Sequence, residues 1–351
     1  MTIWLADLVI AWARGAAWGL TGLVIVLAAS VAVLRLSLVL AARRRGRCLD
    51  AWRTRLLDAV VEPKAAALPR ATARDLEALI PHWNHLHGLL RGHARDRLVA
   101  LGHEIGLAVQ ARQYLGQRSL RRRLLGIVTL GNLRAPYAWA EVRPFLDHRD
   151  PSLALAAMRA LLAIDVEAAL PVVVPAIAQR EDWSLVAVAP ILHEVGFGEV
   201  APVLAREALR TPPAHAARLV QLLGTAHGTG VGPLLREVLR GATDERLITV
   251  CLQALREPED LDLARGLLAH PQWFVRVAAA AAVGRLGVPG DEERLAVLLG
   301  DRSWWVRYRA AKALAVLPFV TMVDMAALAA EHDDAFARDI VIQVLAELAV
   351  A

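Results

Sequence analysis

Residues 303–314 read SWWVRYRAAKAL, and residues 272–283 read QWFVRVAAAAAV. The two stretches lie 31 positions apart and share an aromatic pair, a Val-Arg step and an alanine-rich end. The same step of 31 leads from Leu314 back to Val283 and on to Leu345, and a second series with this step runs through Leu130, Leu161, Leu192 and Leu223. Leu255 joins the two series with steps of 32 and 28. The chain therefore repeats one unit about every 31 residues.

We call these eight leucine and valine positions the repeat anchors. Apolar, glycine or proline residues recur four before, three before and three after each repeat anchor. This spacing is typical of one face of an α-helix. Shorter amphipathic stretches lie between the helices, such as DEERLAVLLG at 291–300 after the turn residues Pro289 and Gly290. Each unit is therefore predicted to be a helical hairpin. Since one hairpin cannot bury its apolar face alone, residues 116–351 predict an α-solenoid of about seven to eight repeats.

The composition favours an all-α fold without catalytic machinery. Hydrophobic residues make up 56% of the chain and aromatic residues 5%, so the apolar surplus is mostly Ala, Leu and Val. The sequence has no dinucleotide or phosphate-loop glycine pattern, no GxSxG, no HExxH and no CxxC. Cys48 and Cys251 lie far apart in sequence and fit a reducing compartment. We expect no cofactor and no catalytic residues.

The charge is divided unequally along the chain. Up to residue 125, 19 basic and 8 acidic residues give a net charge of +11, whereas 21 basic and 27 acidic residues give −6 after it. A solenoid that binds nucleic acid would be expected to carry the positive charge itself, because neutralised phosphates supply most of the affinity. We therefore expect no nucleic-acid partner.

The N-terminal third contains a long uncharged stretch. Residues 16–34 read AAWGLTGLVIVLAASVAVL, and Arg35, the apolar LSLVLAA and RRRGR at 43–47 follow. At about 1.5 Å per residue this run nearly crosses a ~30 Å hydrocarbon layer. A cleaved signal peptide would place its basic residues before the apolar run. The sequence thus predicts an N-terminal segment with a single transmembrane helix at residues 1–42.

The arginines after this stretch predict its orientation. Arg14 before it is offset by Asp7, whereas the basic cluster after it comprises Arg43, Arg44, Arg45, Arg47, Arg53 and Arg55. The positive-inside rule then places the N-terminus outside and the C-terminal solenoid in the cytoplasm. The same cluster would attract anionic lipid headgroups. Gly15 and Gly19 form a GxxxG pattern of the kind that pairs two helices, which leaves a homodimer open.

Residues 43–115 predict juxtamembrane amphipathic helices. Their segments LDAWRTRLLDAVV, ARDLEALIPHWNHLHGLLRG and ARDRLVALGHEIGLAVQARQYLG are separated or interrupted by prolines. Five histidines fall within 22 positions here: His82, His85, His87, His93 and His103. A metal site needs converging ligands, and no thiol or carboxylate recurs at a supporting spacing. We therefore expect surface or interface histidines and no metal.

The units HPQWFVRVAAAAAVGRLG and DRSWWVRYRAAKALAVL resemble the HEAT repeat, in particular the short HEAT-like repeat also found in phycobilisome lyases. The resemblance covers residues 116–351, and its middle units keep only the apolar skeleton. One span followed by such repeats resembles a group of bacterial membrane-anchored HEAT-repeat proteins. That resemblance implies a bacterial inner-membrane location and a protein partner at the membrane, with a membrane glycosyltransferase as one candidate.

Two enzyme families with related repeats provide the alternative. The resemblance to phycobilisome lyases implies a chromophore lyase whose site lies in the solenoid groove. A deoxyhypusine hydroxylase would hold a di-iron centre through a symmetric set of His-Glu pairs. This chain has two such pairs, His103-Glu104 and His193-Glu194, which is too few for that centre. We therefore predict a non-enzymatic membrane-tethered scaffold or adaptor, with the lyase or metal-dependent hydroxylase as the alternative.

Aromatic residues and arginines recur in register with the repeat. In four repeats, the residue nine positions before the repeat anchor is aromatic, which predicts packing at the helix entry. These residues are Trp183, Phe274, Trp305 and Phe336. Adjacent helical residues diverge by about 100°, so Trp304 and Trp273 predict an exposed ridge. The predicted partner-binding residues are Trp273, Trp304, Tyr308 and Lys312. In four repeats, an arginine lies seven positions before the repeat anchor, and these arginines predict a structural ladder of contacts with acidic residues of adjoining turns. They are Arg123, Arg276, Arg307 and Arg338.

Overall fold

The computed structural model describes residues 2–61, 71–226 and 230–350, and every regular element in these ranges is a helix. Within the first helix, the side chains of residues 2–17 and of several later positions lie outside the described set. The predicted all-α class is confirmed, since no strand occurs in these three ranges.

Contacts divide the chain into two compact units, Met1–Ala135 and Pro136–Ala351. The division falls after the helix that contains Leu130, the first repeat anchor. The predicted boundaries at residues 42 and 115 stay predictions. The helices of the first unit are α1 (Thr2–Val61), α2 (Ala73–Leu89), α3 (Gly92–Glu104), α4 (Leu107–Leu115) and α5 (Leu120–Asn132).

Helix α1 runs without interruption for 60 residues, so the backbone does not break at residue 42. Near its C-terminal end, Trp52, Leu56 and Val60 are buried and follow one another at intervals of four residues. This spacing places them on one helical face, and α1 packs against α2 and α3. The C-terminal part of α1 is therefore part of the folded first unit.

Among the side chains that the structure describes, no helix contains a stretch long and apolar enough to cross a membrane. The predicted span at residues 16–34 includes positions outside that set. The surroundings of Gly15 and Gly19 also lie outside it. The span and the glycine pairing stay predictions.

The second unit consists of helices that pack mainly on their neighbours. From α7 to α19, each odd-numbered helix packs against the next odd-numbered helix, and most also pack against the helix that follows them directly. This is the nearest-neighbour packing of an α-solenoid. The helices are α6 (Trp139–Val142), α7 (Pro151–Ile164), α8 (Val166–Gln179), α9 (Leu185–Val195), α10 (Phe197–Arg210), α11 (Pro213–Gly224), α12 (Val231–Gly241), α13 (Glu245–Ala254), α14 (Leu261–Gly266), α15 (Trp273–Leu286), α16 (Asp291–Val297), α17 (Trp304–Val316), α18 (Met322–Glu331) and α19 (Ala335–Val350).

Small residues bring neighbouring helices close together. Ala279, Ala280, Ala310 and Ala311 are fully buried on α15 and α17. A Cβ atom added to Gly284 would lie 2.7 Å from the Cβ and 2.8 Å from the Cα of Ala313. The two helices therefore approach at backbone level, which larger side chains would prevent.

A hydrogen-bonded turn with a period of 31 residues precedes α15, α17 and α19. The side chain of its first residue accepts the backbone N–H two positions later, at 3.2, 2.8 and 3.1 Å. The carbonyl of that residue accepts a hydrogen bond from an arginine six positions later, at 2.9 Å in each case. The first residues are His270, Asp301 and His332, and the arginines are Arg276, Arg307 and Arg338.

The predicted structural role of the arginine series is therefore confirmed. Arg123 likewise donates to the carbonyl of Gln117, six residues earlier. Arg276 also donates two hydrogen bonds to the carboxylate of Asp301, at 2.7 and 2.8 Å, and so joins two turns as the ladder predicted. All four arginines donate to a backbone carbonyl of the preceding turn, and among the described residues only Arg276 also reaches an acid of an adjoining turn, so the predicted ladder is found for that residue alone.

Candidate functional site

Three of the four predicted partner-binding residues lie together on α17. Trp304, Tyr308 and Lys312 follow one another at intervals of four, which places them on one helical face. The rings of Trp304 and Tyr308 stack with centroids 5.1 Å apart and planes only 8° from parallel. The ammonium of Lys312 lies 5.2 Å from the centroid of the Tyr308 ring. We call these three residues the aromatic strip.

Glu347 of α19 fixes the end of the aromatic strip. The hydroxyl of Tyr308 donates a 2.8 Å hydrogen bond to Glu347 Oε2, and Lys312 Nζ lies 3.1 Å from the same atom. The hydrogen bonds from Tyr308, Lys312 and Gln343 lower the pKa of Glu347. The interactions with Tyr308 and Glu347 raise the pKa of Lys312. The strip therefore ends in a charged pair that stays ionised near neutral pH.

Trp273 occupies the equivalent position on α15, one repeat before Trp304. Its side chain is 43% exposed and that of Trp304 is 41% exposed. The ring of Trp273 makes an edge contact with Phe274, with centroids 5.8 Å apart. Both tryptophans are thus exposed as predicted, and Trp273 makes its ring contact within its own repeat.

The predicted burial at the helix entry is wrong for two of four residues. Trp183 is fully buried and Phe274 is half-buried, whereas Trp305 is 58% exposed and Phe336 is 66% exposed. Trp305 makes an edge contact with Trp304, with centroids 4.9 Å apart. Trp183 lies in the turn before α9, whereas Phe274, Trp305 and Phe336 lie in the first turns of their helices and differ in burial, so the register alone does not determine burial here. Trp305 therefore enlarges the exposed aromatic surface.

The histidine-rich segment provides no metal site among the described residues. No group of three or more His, Cys, Asp or Glu residues converges there or elsewhere in the described ranges. Burial, with smaller effects from Arg53 and His85, lowers the pKa of His82. His87 stacks on Trp83, with centroids 5.5 Å apart. His103 Nε2 lies 2.9 Å from the carbonyl oxygen of Leu133. These contacts are structural.

The second His-Glu pair also makes contacts of a structural kind. Glu194 forms a 2.7 Å ion pair with Arg159. The ring of His193 contacts the edge of Phe197, with centroids 4.5 Å apart.

Cys251 is a buried free thiol, and burial raises its pKa to about 12. A thiol with that pKa is almost entirely protonated at neutral pH and is therefore a poor nucleophile.

Glu347 was missed by sequence reasoning. It lies 39 residues from Tyr308, so the pair brings together two helices and different positions within the repeat. A periodic pattern indicates which residues share a helical face but does not indicate which side chains meet across two helices.

No protein-family model matches the chain, and a search of curated proteins gave no match.

Proposed function

We propose that the protein is a non-enzymatic, membrane-tethered adaptor whose C-terminal unit binds a protein partner through the aromatic strip and its neighbours Trp273 and Trp305. The observation that carries the proposal is the exposed Trp304 stacked on the half-buried Tyr308, which is held by Glu347. Tyr308 links α17 to α19, and the exposed part of Trp304 is left open to a partner. Its geometry suits recognition of another surface.

Energetics support an interface at this position. Interface hot spots are enriched in tryptophan, tyrosine and arginine, and each can contribute 2 kcal/mol or more to binding. A side chain already held in place loses less conformational entropy when a partner binds. Tyr308 is held at its ring by Trp304 and at its hydroxyl by Glu347. The strip is therefore preorganised for contact.

The proposal includes a membrane anchor at residues 1–42. Its support is the uncharged stretch at 16–34 and the arginine cluster that follows. Large apolar side chains of α1 that the structure describes are also exposed, among them Leu27, Val31, Leu34 and Leu38. Exposed apolar surface of this kind is typical of contact with lipid or protein. The resemblance to membrane-anchored HEAT-repeat proteins suggests that the membrane is a bacterial inner membrane. It also suggests that the partner is a membrane protein, such as a glycosyltransferase.

Partner capture tests this proposal. The full chain, solubilised in mild detergent from membranes of its source, should co-purify with a reproducible set of proteins. The double variant Trp273→Ala/Trp304→Ala should lose that set, because about 2 kcal/mol or more of binding energy per hot spot is removed. The variant Val186→Ala is the matched control, since Val186 is an exposed residue of α9 in the same unit.

The expected change in folding is small for both variants, because the altered side chains are partly exposed. Thermal unfolding of the variants should therefore resemble that of the wild type. Equal recovery of the partner set by the double variant and by Val186→Ala would contradict the proposed interface.

A further inference from the structure

A groove of about 320 Å³ opens between α15, α17 and α19. Its base is lined by small or apolar residues, including Gly284, Ala313 and Val344. Val316 and Leu348 form its exposed apolar walls. The small residues that bring α15 and α17 together thus also leave a hollow, which is large enough for one or two apolar side chains.

Cationic residues surround this apolar hollow. Arg285, Arg309 and Lys312 line it. Burial lowers the pKa of Arg285, and so do the charges of Arg256 and Arg309. Arg285 therefore lies within electrostatic reach of both of these arginines. The groove therefore combines an apolar base with a rim of like charges.

These arginine charges lack acidic partners among the described residues. Arg285 donates to the carbonyls of Ala281 and Leu252, and Arg256 donates to those of Gln253 and Leu255. In the described ranges, no carboxylate lies within ion-pair distance of Arg256, Arg285 or Arg309. Glu347 is bound to Tyr308 and Lys312. The rim thus keeps an uncompensated positive charge in a part of the chain whose net charge is −6.

We propose that this groove binds a short acidic segment of a protein partner, with a large apolar side chain in the hollow and flanking carboxylates on Arg285 and Arg309. Complementary charge favours and orients such a segment. Arginine suits this contact because its planar guanidinium can bond a carboxylate through two donors. A free anion such as inorganic phosphate would meet the cations but would leave the apolar base unfilled. The protein segment therefore uses more of the groove.

The groove is continuous with the aromatic strip through Lys312, which belongs to both. The inference rests on the proposed function in that it names the chemistry of the same partner. Acidic residues of the partner would bind the groove, while its apolar surface would pack on the strip. Variants of the groove and variants of the strip can nevertheless be tested separately.

Selection of peptides from a random displayed library on the detergent-purified full chain tests the inference. We expect enriched peptides to carry a large apolar residue flanked by Asp or Glu. The best of them, labelled with a fluorophore, should bind about tenfold more weakly to Arg309→Glu. Arg302→Glu is the matched control, because Arg302 is an exposed arginine just before α17 and does not line the groove. The affinity of the Arg302→Glu variant for the labelled peptide should equal that of the wild type.

Three comparisons identify the ligand chemistry. A peptide with every Glu replaced by Gln should bind more weakly, and added salt should reduce the affinity of the acidic peptide. Val316→Asp should weaken binding of the acidic peptide, because it places a charge in the apolar wall. Inorganic phosphate and vesicles of anionic phosphatidylglycerol should compete poorly.

Failure to enrich acidic peptides, or equal binding by Arg309→Glu and Arg302→Glu, would overturn the inference. Vesicle binding that depends on Arg309 without any acidic-peptide binding would overturn it in favour of a lipid site. Loss of partner capture in the Trp273→Ala/Trp304→Ala variant, together with no acidic-peptide binding, would leave the proposed function standing and the inference wrong. Acidic-peptide binding with undiminished capture by that double variant would refute the proposed strip alone.

Discussion

Asp301 joins two consecutive turns of the second unit through one carboxylate. It accepts two hydrogen bonds from Arg276 and one from the backbone N–H of Ser303, the last at 2.8 Å. Its side chain is only 9% exposed. Burial alone raises its pKa, but the hydrogen bonds from Arg276 and Ser303 outweigh burial and hold the pKa below its ordinary value of 3.8. The folded state therefore favours the charged form.

Replacement of Asp301 by Asn should reduce stability in a pH-dependent way. At pH 7 we expect the free energy of unfolding to fall by about 1 to 3 kcal/mol, because a buried charged hydrogen bond to Arg276 is lost. A depressed folded-state pKa stabilises the protein fully above the unfolded value and loses this effect as pH falls through the folded value. The difference in urea midpoint between wild type and variant should therefore shrink below pH 3.8.

Asp262→Asn is the matched control at this scale. Asp262 also pairs with an arginine, Arg265, at 2.9 Å, but its side chain is 90% exposed. Exposed ion pairs contribute about 0 to 1 kcal/mol. A difference for Asp301→Asn that stays constant from pH 7 to pH 3, or that equals the effect of Asp262→Asn, would show that the charge of Asp301 contributes little.

At the scale of helices, Gly284 sets the separation of α15 and α17. Replacement by Ala should destabilise the protein by about 1 to 3 kcal/mol, because the added Cβ meets backbone and Cβ atoms of Ala313 at 2.7 to 2.8 Å. Alanine favours helix by about 1 kcal/mol over glycine, so the clash must exceed that gain. Urea unfolding would measure the difference.

Gly300→Ala is the control for this change, since nothing lies within 4 Å of a Cβ added there. We expect its unfolding free energy to stay within about 0.5 kcal/mol of the wild type. A Gly284→Ala variant that is as stable as Gly300→Ala would contradict this expectation, because the clash would then cost no more than the helix propensity that alanine gains.

The helices were predictable because each repeat must bury one apolar face, and burial produces a period that can be read in the sequence. The exposure of Trp304 and Trp273 followed from the same register. The exposure of Trp305 did not, since the 31-residue register gives Trp183, Phe274 and Trp305 the same position although they are buried, half-buried and exposed, respectively.

Contacts between repeats were harder to predict than the helices. Asp260 and Asp291 are fully buried and lie 31 positions apart, each paired with an arginine of an earlier helix, Arg236 or Arg265. Their charge suggests surface residues when the sequence is read alone. The groove was missed for a related reason, because its apolar base and its arginines come from three helices and meet only in the fold.

At the scale of the whole chain, positive charge and the uncharged stretch are concentrated together at the N-terminal end. Helix α1 runs without interruption from Thr2 to Val61, and its last turns are buried in the first unit at Trp52, Leu56 and Val60. The proposed anchor therefore continues directly into folded structure. If residues 16–34 lie in a membrane, the six arginines at 43–55 would lie just beyond it.

Reporter fusions test this arrangement. Alkaline phosphatase fused after Ala351 should be inactive, and a fluorescent protein fused there should fluoresce. The reason is that the arginine cluster keeps the part of the chain that follows the span in the cytoplasm. The full chain should also stay in the membrane pellet after alkaline carbonate extraction. The variant that lacks residues 1–42 is the control and should be released, since it loses the uncharged stretch. Strong phosphatase activity would reverse the proposed orientation, and release of the full chain by carbonate would remove the anchor itself.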